Sequence, residues 1–561
     1  MSISSVATIP AILKQHYQTI PDHTIITLQV SGETDLHLSY RDLICGSAVY
    51  AQMFAEADIS PGEVLILVLN HGPDLIYAFF GAILHGAIPS IMPFLTEKLS
   101  PEQYRASLSA LFDVTLPAGV ITFSNFLAEV EQAARSLDEL KIFLPPQQRE
   151  NHFIQFNKFR GLDRQTSDVA LLQHSSGTTG LQKGVALTHE AVTNQLESYS
   201  QAIDLSVEDV VVSWLPLYHD MGLIAGLILP ILSGVQLVLM SPMDWVKAPY
   251  RMLHSVTQYQ GTLTWLPNFA FNFCSQKIRT RNLEGVDLSS WRAVINCSEP
   301  TIWDSHQQFV ERFQPYGLTP RALATSYAMA ENVFAVTQSN LNQPLTVDHI
   351  DKDIFAAERR AVPCSVEERT IEMLSAGVPI DNTKIRVLDA DNYDLAERHI
   401  GQIAIKSHCM LIGYYHRPDL TAEAFIDGWY LSGDLGYIAD GELFVTGRMK
   451  DIIIVGGKNV YPQDLERLVY QVEGVYPGRA VAFGIFSAQT GTEEVVIVAE
   501  TVVRNVEDRI NISNQVRQKV TKGSAIALRI VELVERGWLI KTSSGKPARN
   551  ANREKYLTLH R

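Results

Sequence analysis

Two lysines far apart in the chain carry the clearest chemical signal. Lys546 closes the run Ile540-Lys541-Thr542-Ser543-Ser544-Gly545-Lys546, close to the end of the 561-residue sequence. Lys183 lies in a loop rich in glycine and hydroxyl residues, His174-Ser175-Ser176-Gly177-Thr178-Thr179-Gly180-Leu181-Gln182-Lys183-Gly184. Small residues let backbone N–H groups approach phosphate oxygens, the hydroxyls add donors, and lysine adds a point charge. A P-loop of the Walker type needs glycine directly before its lysine and a serine or threonine after it. Gln182 and Gly184 occupy those places, so this is not a P-loop, and a flexible surface turn is the alternative to a phosphate-binding loop of another kind.

The elements that must position these lysines alternate. Glu63–Leu69 reads as a buried strand, with Pro73 and Gly86 placed to start and stop a helix. Val169–Gln173 is a strand feeding the loop, Val185–Leu187 resumes as strand after it, and Thr188 is placed to cap the next helix. Val210–Trp214 repeats the pattern. Continuous apolar strands between helical segments imply sheets covered on both faces, an α/β body of several subdomains. From about residue 447 the pattern changes to shorter strands such as Ala480–Phe483 and Glu494–Val498 with helices between, a small α+β domain. The segment from Ser339 to Thr370 is charged and weakly periodic, an excursion from the fold.

Bulk properties exclude other classes. The formal net charge is −15, which disfavours nucleic acid as a partner because a phosphate backbone demands a basic face. Five cysteines without a CxxC pair predict neither a disulfide framework nor a zinc site, and a reducing cytoplasmic setting is expected. The start of the chain shows no basic region followed by an apolar run, so no secretory signal is expected. Gly222–Met240 holds nineteen residues without a charge, but Pro230 and Ser233-Gly234 interrupt it. That pattern predicts a buried helix, a turn and a buried strand in place of an integral membrane span.

Several motifs in order resemble those of the adenylate-forming ligases, which include acyl-CoA synthetases, luciferases, peptide-synthetase adenylation domains and fatty acyl-AMP ligases. Ser175-Ser176-Gly177-Thr178-Thr179-Gly180 followed by Lys183-Gly184 resembles the family's phosphate loop. Ser326-Tyr327-Ala328-Met329-Ala330-Glu331 resembles the motif with an adenine-stacking tyrosine and a glutamate that holds Mg²⁺. Tyr430-Leu431-Ser432-Gly433-Asp434 resembles the motif whose aspartate holds the ribose hydroxyls, and Gly447-Arg448-Met449-Lys450-Asp451 resembles the hinge. The resemblance implies a catalytic role for Lys546, Lys183 and His219. It also implies nucleotide contacts from Ser298, Glu299, Tyr327, Glu331, Asp434 and Arg448, and a pivot at Lys450. The corresponding organisation is an AMP-binding body over residues 1–446, with an insertion at about 339–370, a hinge at 447–450 and a mobile domain over 451–561.

Two stretches resemble the fatty acyl-AMP ligases in particular. One is Trp214-Leu215-Pro216-Leu217-Tyr218-His219-Asp220-Met221-Gly222-Leu223; the other is the long segment 332–374 between Glu331 and Ser375. The resemblance implies ATP and Mg²⁺ as requirements, a medium- or long-chain fatty acid as substrate, acyl-AMP and pyrophosphate as products, and an acyl carrier protein as acceptor. CoA is the alternative acceptor. A peptide-synthetase-like adenylation enzyme and an inactive nucleotide-binding protein are the rival readings. Ala328, Pro547 and Asn296-Cys297-Ser298-Glu299-Pro300 depart from the family's usual residues.

Overall fold

The computed structural model describes the whole chain except residues 1–6, 94–100, 136–138, 147–153, 176–182, 456–457, 488–491, 525–527, 543–544 and 561. Three sheets build the large body. A nine-stranded sheet runs from Val378–Pro379 through Ala335–Gln338, Leu323–Ala328, Ala293–Asn296, Leu263–Leu266, Val210–Ser213, Gln236–Met240 and Thr24–Gln29 to Leu36–Ser39. Its six central strands are parallel and its edges antiparallel. These central strands are almost wholly buried, as parallel strands covered on both faces must be.

A seven-stranded sheet places Val64–Val68 near its centre and pairs Val169–Ser175 with Lys183–Thr188 antiparallel. The helix Pro73–His85 starts at its proline and stops at Gly86, whose φ of +92° is the left-handed conformation that glycine adopts without strain. Thr188 caps its helix by accepting the N–H of Ala191 at 3.0 Å. The uncharged stretch forms two successive helical segments, Met221–Ile228 and Leu229–Ser233, a turn at Gly234, and the strand Gln236–Met240. Met221–Ile228 is wound as a π-helix, and such segments recur at functional sites. Among the described residues, no helix is long and apolar enough to cross a membrane.

The third sheet is antiparallel and carries Thr383–Leu388, Gly401–Ser407, Trp429–Ala439 and Glu442–Arg448. Beyond it lie a short hairpin, a three-stranded sheet and the helices Pro462–Tyr470, Val506–Ser524 and Arg549–Leu559. Leu465, Val469, Ala482, Ile497 and Val516 form a core separate from that of the body. The short strands expected here are in fact one long hairpin, Val475–Ser487 with Thr492–Thr501. Gly478 and Arg479 fall in an irregularity of the register between Val475 and Ala480, and Gly484 pairs with Val495, so the hairpin continues past breaks in the apolar pattern and periodicity alone underestimates its length.

The excursion is also more ordered than its charge suggests. Val347–Asp351 pairs with Thr370–Leu374, and the helix Lys352–Glu358 lies between them. Ile350, Phe355 and Ala361 are buried with Tyr437, Phe444 and Tyr461. Phe355 meets Tyr461 with ring centroids 5.4 Å apart, so this segment touches the C-terminal region directly.

Candidate active site

The site forms where the ends of the strands from two sheets meet the C-terminal domain. Tyr327 sits near the end of Leu323–Ala328 and donates its hydroxyl to Asp434 Oδ2 at 2.6 Å. Arg448 lies opposite Asp434 in the antiparallel register and donates through Nε to Oδ1 at 3.0 Å. Ser432 Oγ accepts the N–H of Asp434 at 3.1 Å, fixing the turn. Three residues read from three separate motifs therefore meet at one carboxylate. Each oxygen of that carboxylate keeps a second acceptor site, enough to receive two hydroxyls of a diol.

Glu331 lies in the turn after this strand, which ends in Val333 at a φ of +61°. A β-branched residue in the left-handed region is strained, and such strain is held only where the surroundings over-determine the backbone. Tyr414 donates its hydroxyl to Glu331 Oε1 at 3.1 Å, and Tyr430 lies 3.1 Å from that hydroxyl. Lys183 Nζ stands 4.5 Å above the Tyr414 ring. Burial pushes the Glu331 carboxyl up, with the Tyr414 hydrogen bond acting the other way. The charge of Arg448 also lowers it, as the smallest of these influences. Lys183 is held in register opposite Ser175, so the two ends of the phosphate loop lie side by side. Ser176, Gly177, Thr178, Thr179 and Gly180 lie outside the described residues.

A second cluster receives the terminal lysine. Lys546 Nζ donates to the carbonyl of Ser298, a non-glycine residue at a φ of +68°. Burial lowers the Lys546 pKa, with Glu299 opposing the shift and Arg448 adding to it. Glu299 Oε2 accepts the N–H of Phe269 at 2.9 Å. His219 Nδ1 lies 2.5 Å from Asp220 Oδ1. Burial alone would raise the Asp220 pKa, yet His219, the N–H of Met221 and the charge of Lys546 hold it below the usual carboxylate range. Gly222 makes this turn possible, because a Cβ there would lie 2.2 Å from the Pro216 carbonyl. Ser298 Oγ is 3.9 Å from Met221 Sδ, which joins the two loops.

The lysine is also tied to the start of its own domain. Arg549 pairs with Asp451 at 3.5 Å and with Glu466, and donates to the Ala482 carbonyl. Lys450, the sequence-derived pivot, is lowered in pKa by burial and then by the charge of Arg448. Tyr414, Tyr430, Ser432 and Asp220 were not singled out from sequence. Ser432 and Asp220 stand within or beside quoted motifs and were open to the same reading. Tyr414 reaches Glu331 only because Gly413–Tyr414 pairs with Val185 and Ala186, a long-range contact with no local signal.

The carboxylate of Asp434 held between Tyr327 and Arg448, and the reach of Lys546 to Ser298, fit an adenylate-forming ligase. The chain belongs to the AMP-binding enzyme family, which matches residues 13–415. It is similar to the medium-chain-fatty-acid–[acyl-carrier-protein] ligase JamA of Moorena producens, 28% identical over 566 residues that cover 97% of this chain and 94% of that one. It is similar as well to the long-chain-fatty-acid–AMP ligase FadD26 of Mycobacterium bovis, 29% identical over 588 residues covering 98% and 97%. A structure from a study of fatty acyl-adenylate ligases from E. coli and L. pneumophila matches with a TM-score of 0.89 at 26% identity, covering 99% of this chain and 98% of that chain.

Proposed function

We propose that this enzyme activates a fatty acid with ATP, forming acyl-AMP and pyrophosphate, and then passes the acyl group to the phosphopantetheine thiol of an acyl carrier protein. The observation that carries this reading is the reach of Lys546 to Ser298, beside Glu299 and within the field of Asp220. In the first half-reaction a carboxylate oxygen attacks the α-phosphorus, and the bond to pyrophosphate breaks. Lys546 bridges the carboxylate and the α-phosphate, which fixes their approach and offsets developing charge. Asp434, aligned by Tyr327 and Arg448, receives the ribose hydroxyls, and the Tyr327 ring gives adenine a flat apolar face.

Lys183 faces the departing pyrophosphate. Glu331 is a desolvated carboxylate that the charge of Arg448 reaches only weakly, and such a group would suit a hard cation. Bound there, Mg²⁺ supplies neutralisation of phosphate charge. His219 stands at the mouth of the acyl site, braced by Asp220. After adenylation, rotation about Lys450 withdraws Lys546 and opens the anhydride to a thiol.

The choice of carrier protein over CoA is supported by the segment 347–374, whose Phe355 packs on Tyr461 just beyond the hinge. It is supported also by the name of one relative, JamA, which is a ligase to an acyl carrier protein. Purified enzyme with ATP, Mg²⁺ and fatty acid should exchange labelled pyrophosphate into ATP, then load a holo acyl carrier protein in preference to CoA. Rapid stoichiometric acyl-CoA formation would overturn the acceptor, and the absence of any acid-dependent exchange would overturn the whole reading.

A further inference from the structure

A fatty acyl chain needs apolar side chains beyond its carboxylate, and a cluster of aromatic rings stands next to Glu299. Phe269, whose N–H binds Glu299, stands edge-on to two tryptophans, with its centroid 6.2 Å from both Trp214 and Trp245. The two indoles stack face to face at 3.6 Å and 1°. Phe273 tilts against Trp245 at 5.3 Å. Trp245 is the one buried residue of the six-residue helix Pro242–Lys247, while Met243 and Val246 on the same helix are 55% and 52% exposed. A bulky ring is thus held between the Phe269 end of the site and an apolar patch on the surface.

Two features set this pair apart from ordinary core packing. Parallel rings at this separation are almost eclipsed, an arrangement less favourable than an offset or edge-on one because like quadrupole faces meet. Both indole Nε1 atoms are buried without a hydrogen-bond partner among the described residues. Tyrosine and tryptophan normally find a partner when buried, and leaving one unmet costs stability. The same holds for His71 Nε2, which lies within the field of Asp244 on this helix. Polar satisfaction and stacking geometry do not explain why Trp245 is here, whereas occlusion does.

We propose that the Trp214–Trp245 pair is the end stop of the acyl channel, and that Trp245 is a specificity-determining residue that confines the enzyme to medium-chain acids. This rests on the fatty-acid activation proposed above. Removal of the Trp245 ring joins the space beside Phe269 to the exposed Met243 and Val246, an apolar track for a longer tail. Each methylene newly lodged there adds about fourfold to kcat/KM.

Acid-dependent pyrophosphate exchange with octanoate, laurate, palmitate and stearate tests this in the wild type and in Trp245→Ala, Trp245→Leu and Trp245→Phe. The wild type should favour octanoate or laurate. The palmitate-to-octanoate ratio of kcat/KM should rise about tenfold or more in Trp245→Ala, by less in Trp245→Leu, and least in Trp245→Phe. Should the alanine variant fail to fold, the leucine and phenylalanine variants read the same ratio. A ratio within about twofold of the wild type in folded variants would overturn the end stop, as would a wild-type preference for stearate. No exchange by the wild type with any of the four acids would instead sink the fatty-acid reading itself.

Discussion

At the scale of single residues, the site is a set of charges whose value depends on desolvation. In the role proposed for it, Lys546 has to be protonated to bridge two anions, and burial lowers its pKa. A base with a lowered pKa loses its charge at lower pH, so adenylation should decline on the alkaline side before a solvent-exposed lysine would titrate. Lys546→Arg should move that limb to higher pH, because guanidinium keeps its charge. Lys546→Ala should reduce adenylate formation by about 10²–10³ while the apparent melting temperature stays near that of the wild type. Pyrophosphate release at the wild-type rate in the alanine variant would remove Lys546 from the reaction.

Residue identity was legible in sequence where a motif gave it context. Tyr327, Asp434 and Arg448 are unremarkable singly, and their spacing within three motifs singled them out before the structure joined them at one carboxylate. Tyr414 and Trp245 were not legible. Their partners Glu331 and Trp214 lie on other elements, and nothing in the local pattern distinguishes them from core aromatics.

At the scale of elements, the parallel strands announced themselves because burial on both faces leaves unbroken apolar runs, as in Val64–Val68. The segment 347–374 did not, because its apolar contacts are few and dispersed among charges. Phe355 is 4% exposed, and its packing on Tyr461 is the clearest bond between this segment and the C-terminal domain. Phe355→Ala should cost roughly 3 kcal/mol of local stability, within the range for buried Phe→Ala changes. Hydrogen exchange across residues 347–374 should then quicken, and the rate of acyl-CoA formation should rise relative to carrier loading. Faster exchange without any change in acceptor preference would separate the segment's packing from acceptor choice.

At the scale of the whole molecule, the acid limit of stability follows from buried histidines. His189 and His306 are 3% and 0% exposed, and burial lowers each from 6.5 to about 4. Between those values the unfolded chain binds more protons than the native one. Stability is therefore complete above pH 6.5 and declines as pH falls toward 4, by on the order of 3 kcal/mol for each histidine. Thermal unfolding followed across this window should show a steep loss, and a His189→Gln, His306→Gln double variant should make it shallower, with His71 and His174, also lowered to about 4, supplying the rest. The division into a large α/β body and a smaller α+β region was legible from composition and strand character. The order of strands in the nine-stranded sheet was not, since Thr24–Gln29 pairs with Gln236–Met240 across nearly half of the body.

The ion pairs of Arg549 tie the tail of the molecule to its pivot. Three residues after Lys546, that guanidinium is clasped by Asp451 and Glu466. In the proposed cycle, departure of the ammonium and the turn of the domain would therefore be a single mechanical event. An incoming thiol would find the anhydride unguarded only after that turn, so a lever would set the order of the two half-reactions, with no need for a separate signal.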